Sequence, residues 1–299
     1  MNKSIVRRHS ETVGLLYGFL GVLAFSGTLP ATRIAVTNLD PTFVGLGRAL
    51  VAAALAFVLL GITKQPIPPR KYWRSFVIVA AGVIIGFPLL SAWAMSKLPA
   101  SHGAIVTGLV PLATAIAATL RAGEQPSSGF WMASFVGSTT VIVFAVIESH
   151  GTLEFADTAL IGAVIAAGLG YAEGGKLARK LGGWQVICWA LVLAAPILTI
   201  PITFVVLQHG ISASPHAWLG FAYLSVVSMF LGFFAWYHGL AIGGIARVGQ
   251  VQLLQPFLTI LFSALLLGEK TTLITMTAAA IVVLSVAVGR KQQIKQLET

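Results

Sequence analysis

Apolar runs of about 20 residues recur along the entire chain, each long enough at ~1.5 Å per residue to cross a ~30 Å hydrocarbon core. Ten are read, at 12–31, 41–60, 73–95, 101–121, 129–147, 158–178, 184–207, 215–240, 245–267 and 271–289. The runs are continuous rather than alternating, which excludes a β-barrel. The expected fold is therefore all-α, a polytopic membrane protein with ten transmembrane helices. Charge content agrees: only 9% of the 299 residues are charged, against roughly 25% in soluble domains. The spans use most of the chain and leave no room for a soluble catalytic domain.

The net charge of +10 would suit nucleic acid if it were gathered on one soluble face. It is instead sorted by loop. With the N-terminus in the cytoplasm, 15 basic residues fall inside: Lys3, Arg7, Arg8, Lys64, Arg70, Lys71, Arg74, Arg121, Lys176, Arg179, Lys180, Arg247, Arg290, Lys291 and Lys295. Arg33, Lys97 and Lys270 fall outside, and Arg48 lies within a span. The loop after the fifth span carries Glu148, Glu154 and Asp157 with no basic residue. This positive-inside bias predicts both termini in the cytoplasm of a multi-pass cell-membrane protein, with no nucleic-acid partner. Lone Cys188 lies within a span and reads as a packed thiol. The basic start resembles a signal sequence, but no small-residue cleavage site precedes Arg33, so the first run is kept as a helix.

A short pattern occurs twice. Residues 103–124 and 248–269 share seven of 22 positions at an offset of 145, including Pro111/Pro256, Thr114/Thr259, Gly123/Gly268 and Glu124/Glu269. Both copies contain P-x2-T-x8-G-E, and the offset is close to half the chain, so a duplicated unit is expected. The halves are 1–147 and 148–299. Five spans per half is an odd number, so the second copy enters the membrane from the opposite side. Such inverted repeats place a substrate site near the midplane between them.

The paired P-x2-T-x8-G-E segments, with their approaches AWAMSKLPASHGA (92–104) and HGLAIGGIARVGQ (238–250), resemble the drug/metabolite transporter superfamily in its ten-helix EamA-type branch. One departure is Gly239, where the family more often has Ala. The resemblance implies a secondary transporter of small organic solutes working by alternating access, and supplies export of amino acids or related metabolites. It also implies a bacterial inner membrane.

The ninth span is the most informative. Gln252, Gln255, Thr259 and Ser263 are spaced i, i+3, i+7, i+11, one face of an α-helix, and Thr107 and Thr114 match Gln252 and Thr259 across the repeat. Glue between helices accounts for such a stripe about as well as a cavity lining does. Pro111 and Pro256 interrupt the hydrogen-bond ladder and are expected to kink their helices, structurally or as gates. Ser26 and Thr28 in the first span pair with Tyr171 and Glu173 in the sixth. Glu173 suits a substrate ammonium or a proton, or an i, i+3 pair with Lys176. Arg48 lies about 10 Å deep by helical rise; it either snorkels outward or meets a carboxylate-bearing ligand. Phe87 and Trp93, then Phe233, Phe234, Trp236, Tyr237 and His238, form aromatic ends of the third and eighth spans, for packing or as a lining. The Gly-Glu pairs read as a left-handed helix stop, followed by an acid at the start of the next helix, with a role in coupling as the alternative.

Enzyme signatures are missing: no H-E-x-x-H, G-x-S-x-G or Walker A, and no paired Cys or His at metal spacing. Ser101 and His102 are adjacent and diverge on a helix, and Gly18 and Gly21 read as packing material. No cofactor or metal is expected, and the partner is a small-molecule substrate. A polytopic membrane enzyme and a non-transporting receptor remain the alternatives; flux in liposomes separates them.

Overall fold

The computed structural model describes residues 3–148 and 155–268, with 273, 277, 280, 281, 284, 285, 288 and 294–296 beyond them. Most of the expected tenth span, most of the acidic loop and Glu269 therefore lie outside the described residues. Among the described residues, seven helical runs are long and apolar enough to cross a membrane: Ser10–Ala35, Phe43–Ile62, Arg70–Met95, Ala156–Leu181, Gly183–His209, Pro215–Gly243 and Ile245–Leu267. A shorter apolar helix spans Val110–Ala122, and a further helix covers Ser128–Glu148. The chain is an all-α polytopic membrane protein. Its outward faces are apolar enough for lipid, with Leu207 and Leu120 more than three-quarters exposed.

Several runs are broken inside. The first comprises α1 (Lys3–Ser26) and α2 (Thr28–Ala35). The second and third pass through wide π-type turns, Phe43–Gly47 before α3 (Arg48–Ile62), and Ala80–Gly86 between α4 (Trp73–Val79) and α5 (Phe87–Met95). The expected span at 101–121 is two helices, α6 (Ala100–Thr107) and α7 (Val110–Ala122). Then come α8 (Ser128–Glu148), α9 (Phe155–Leu181) and α10 (Gly183–His209). α11 (Pro215–Ala222) leads through a π-type segment, Tyr223–Leu231, into α12 (Gly232–Gly243). Last come α13 (Ile245–Gly249), a 3-10 stretch Gln250–Leu254 and α14 (Gln255–Leu267).

The prolines explain the paired interruptions. Proline lacks an N–H and its ring clashes with the carbonyl four residues back, whereas the first turn of a helix tolerates it. Pro111 and Pro256 accordingly sit in the first turns of α7 and α14, so each helix restarts there instead of bending through. Gly123 and Gly268 end these helices at φ 66° and 71°, the left-handed stop expected of the Gly-Glu pairs.

Apolar helices in lipid gain little from burying apolar surface against one another, so close packing has to hold them. Glycines supply it where α1 meets α12: a Cβ on Gly14 would lie 2.5 Å from Gly243 Cα, and one on Gly239 2.7 Å from Gly18 N. α9 lies equally close to the third run, where a Cβ on Gly82 would fall 2.5 Å from the Ala166 carbonyl. Each half of the sequence thus lays its first helix on the other half's third. α6 and α7 pack in turn on α14 and α13. Residues Glu124–Pro126 pair with Ile294–Gln296 in an antiparallel ladder that the sequence did not announce, bringing position 294 to the end of the bundle where α1 begins.

Candidate functional site

Where the halves meet, a cavity lies between α1–α2, α3, the Arg70–Met95 run, α9, the Tyr223–Leu231 segment with α12, and α14. Its polar lining is Thr28, Arg48, Tyr171, Ser228 and Gln255; its apolar walls are Phe25, Val83, Phe87, Met229 and Phe233. It holds about 340 Å³ of space between atoms, counting the part open to solvent, with only a water-sized fraction free for a solute in this conformation. Arg48 does not snorkel: it is 2% exposed, and its Nε has no hydrogen-bond partner among the described residues. The Tyr171 hydroxyl lies near enough to Arg48 and Gln252 to feel both. Thr28 Oγ1 and Ser228 Oγ share a hydrogen bond of 2.8 Å across the cavity wall. Tyr171 stacks on Phe25 at 6.2 Å and meets the Trp236 ring edge-on at 5.3 Å, which fixes its ring.

The other sequence candidates lie elsewhere. Thr107 donates to the Gly103 carbonyl at 2.9 Å and Thr114 to Val110 at 2.8 Å, so both hydroxyls are satisfied within their own helices. Ser26 does the same with Val22 at 2.7 Å. Thr259 is buried outside the cavity lining. Gln252 is buried too; among the described residues neither polar atom of its side chain makes a well-formed hydrogen bond, although the Tyr171 hydroxyl lies close by. It sits in the 3-10 stretch, so the single α-helical face expected for the polar stripe does not run through it. Trp93 is 38% exposed, and His238 is exposed against the Tyr17 ring at 4.6 Å. Tyr237 is fully buried, its hydroxyl donating to the Gly170 carbonyl at 3.2 Å.

A second polar region lies at the end of the bundle where α1 begins, here termed the basic end. Glu173 is 1% exposed; it accepts from Arg121 Nε at 2.9 Å and Ser75 Oγ at 2.6 Å. Lys176, the expected i, i+3 partner, stands at 4.0 Å, so Arg121 is the principal one. Glu124 is fully buried and binds Arg179. Its carboxylate also accepts from the backbone N–H groups of Ile245 at 2.9 Å and Ala246 at 2.7 Å. It therefore caps α13, not the helix that follows it in sequence; there Ser127 Oγ accepts from Phe130 N at 3.4 Å. A carboxylate suits that place because the first N–H groups of a helix have no partner within it. Glu11 pairs with Arg247. Each of the three carboxylates takes its basic partner from the other half of the sequence.

Comparison with known proteins decides the family. The EamA-like transporter family matches twice, over residues 12–146 and 154–289. The chain belongs to the EamA-like transporter family. It is a multi-pass membrane transporter. An uncharacterized transporter of Bacillus subtilis (strain 168), YdeK, is 46% identical over 284 residues, covering 95% of this chain and 99% of that one. A probable terminal-alkyne amino-acid exporter of Streptantibioticus cattleyicolor is 22% identical over 254 residues, covering 84% of each chain. A crystal structure at 17% identity superposes with a TM-score of 0.74 over 93% of this chain and 96% of its own, a likeness of fold.

Within this EamA-like chain the sequence pointed to Thr28, Arg48, Tyr171 and Gln255 individually, and the fold brings those four together. Ser228 was missed. It is a hydroxyl in the middle of an apolar stretch, the same signal that drew attention to Gln255. Phe25 carried no signal, since nothing in an apolar helix separates a lining phenylalanine from a packed one.

Proposed function

We propose that the chain is a secondary transporter that exports small organic solutes, amino acids or related metabolites, from the cytoplasm by alternating access. In this reading it is built of ten spans in two inverted five-helix repeats, 1–147 and 148–299, with both termini cytoplasmic in a bacterial inner membrane. The observation that carries it is the cavity itself. A buried guanidinium, four other polar side chains and aromatic walls meet where the two halves of the sequence touch, the place where inverted repeats hold their substrates. The reciprocal packing of each half's first helix on the other's third supports the repeat. The positive-inside count and the pairing of 294–296 with 124–126, beside the start of α13, support termini on one side. The exporter named among the relatives supports the direction and the solute class.

The test is flux. Purified protein in liposomes should carry members of a labelled amino-acid and organic-acid panel saturably, and cells expressing it should resist toxic amino-acid analogues. A protein that inserts but carries none of the panel would overturn the proposal. So would a His150→Cys, Cys188→Ala variant labelled only from the cytoplasm.

A further inference from the structure

The charge of the cavity is one-sided. Arg48 brings a cation, and no described residue in the lining brings an anion. Glu173, two residues along the helix from Tyr171, is taken by Arg121 and Ser75 at the basic end. Among the described residues no carboxylate pairs with Arg48, although it is 2% exposed and its Nε lacks a partner. A guanidinium removed from water and left unpaired is unfavourable unless something anionic completes it. The planar fork of arginine matches a carboxylate geometrically as well as electrically. The remaining lining is neutral, combining the Thr28, Tyr171 and Ser228 hydroxyls and the Gln255 amide with the Phe25, Phe87 and Phe233 rings. Flat apolar groups are what aromatic walls hold best.

We propose that this cavity binds an organic monocarboxylate with a flat apolar body and no ammonium group, the carboxylate seated on Arg48. The inference rests on the transport reading above and confines its solutes to the related metabolites that carry no ammonium group, setting amino acids aside. A zwitterion is disfavoured for a physical reason: its ammonium would enter a site that already holds a cation and offers it no acid.

Phenylacetate, phenylalanine and phenethylamine share one ring and differ in charge, so they separate the possibilities. The readout is the thermal unfolding midpoint of the full chain in detergent, titrated with each probe. Phenylacetate should raise the midpoint most, phenylalanine less, and phenethylamine not at all. Arg48→Gln should weaken the phenylacetate response roughly tenfold to a hundredfold, the range for losing a charge-assisted hydrogen bond. Arg48→Lys, which keeps the charge without the fork, should fall between. Should Arg48→Gln fail to fold, the ranking of the three probes on the wild type and on Arg48→Lys decides. Phenylalanine or phenethylamine matching phenylacetate would overturn the proposal, as would no response to any probe or an unchanged response in Arg48→Gln. Saturable amino-acid flux in liposomes with no phenylacetate binding would sink this inference alone and leave the transporter reading standing.

Discussion

At the basic end Glu11, Glu124 and Glu173 each take a basic partner from the other half of the sequence. At the far end, among the described residues, the halves meet through one buried carboxylate that has a histidine as its partner in place of an arginine, and otherwise through neutral contacts. Ser214 Oγ donates to Asn38 Oδ1 at 2.7 Å on the surface, His102 meets Asp157 at 2.7 Å, and the Phe43 and Phe221 rings stack at 5.1 Å. The difference matters under the alternating-access reading proposed above, in which opening either end separates the groups that close it. A buried carboxylate parted from its arginine keeps its charge and must regain water, which is unfavourable by several kcal/mol. An exposed hydroxyl–amide bond exchanges with water at a net of about 1 kcal/mol. The far end is therefore expected to open more readily, with the basic end as the firmer closure.

The largest expected effect lies at Glu124. Its carboxylate is fully buried and serves Arg179 and two backbone N–H groups, so Glu124→Ala strands two backbone donors and takes the carboxylate away from Arg179 at once. Removing one partner of a buried pair is destabilising by roughly 3–5 kcal/mol. We expect a clearly lowered unfolding midpoint in detergent and a non-additive Glu124→Ala, Arg179→Ala double mutant. Additive effects would mean that the two side chains do not act on each other, and the firm-closure view of the basic end would fail. Asn38→Ala at the far end should shift stability by only about 0.5–1.5 kcal/mol. It should also raise labelling of a nearby engineered cysteine, in a background carrying Cys188→Ala, more than Glu124→Ala does. If Asn38→Ala proves as damaging as Glu124→Ala, the contrast between the ends is wrong.

The same contrast shows what the sequence made legible. Continuous apolar runs and a sorted charge announce a polytopic membrane protein, because lipid admits few alternatives for an unsatisfied backbone. The P-x2-T-x8-G-E pair announces the left-handed stops at Gly123 and Gly268 for a local reason, the freedom of glycine at positive φ. Glu124 was misassigned because its partner lies 121 residues away, at Ile245. Spacing along one helix cannot report a contact made by packing two. Gln252 and Gln255 illustrate the same limit. They looked like one stripe on an α-helix, but the 3-10 stretch before Pro256 alters the turn, and only Gln255 lines the cavity.

The smallest expected effect belongs to neither end. Gln250 and Gln252 are both about 2% exposed and two residues apart, but their situations differ. Gln250 Nε2 donates to Ser134 Oγ at 2.7 Å, whereas among the described residues neither polar atom of Gln252 makes a well-formed hydrogen bond. An amide that is already unsatisfied has its desolvation cost in place, so replacing it by an apolar side chain of similar size removes that cost instead of adding one. Gln252→Leu should therefore leave the unfolding midpoint nearly unchanged or raise it, within about 1 kcal/mol, while Gln250→Leu strands Ser134 and lowers stability by roughly 1–3 kcal/mol. Transport gives the second half of the measurement. The Tyr171 hydroxyl, a cavity group, lies beside Gln252, so a Gln252→Leu variant of undiminished stability should still carry solute with altered apparent affinity. Equal destabilisation by the two substitutions would show that Gln252 has a structural partner in the membrane. Unaltered affinity at full stability would confine recognition to the Arg48 side of the cavity.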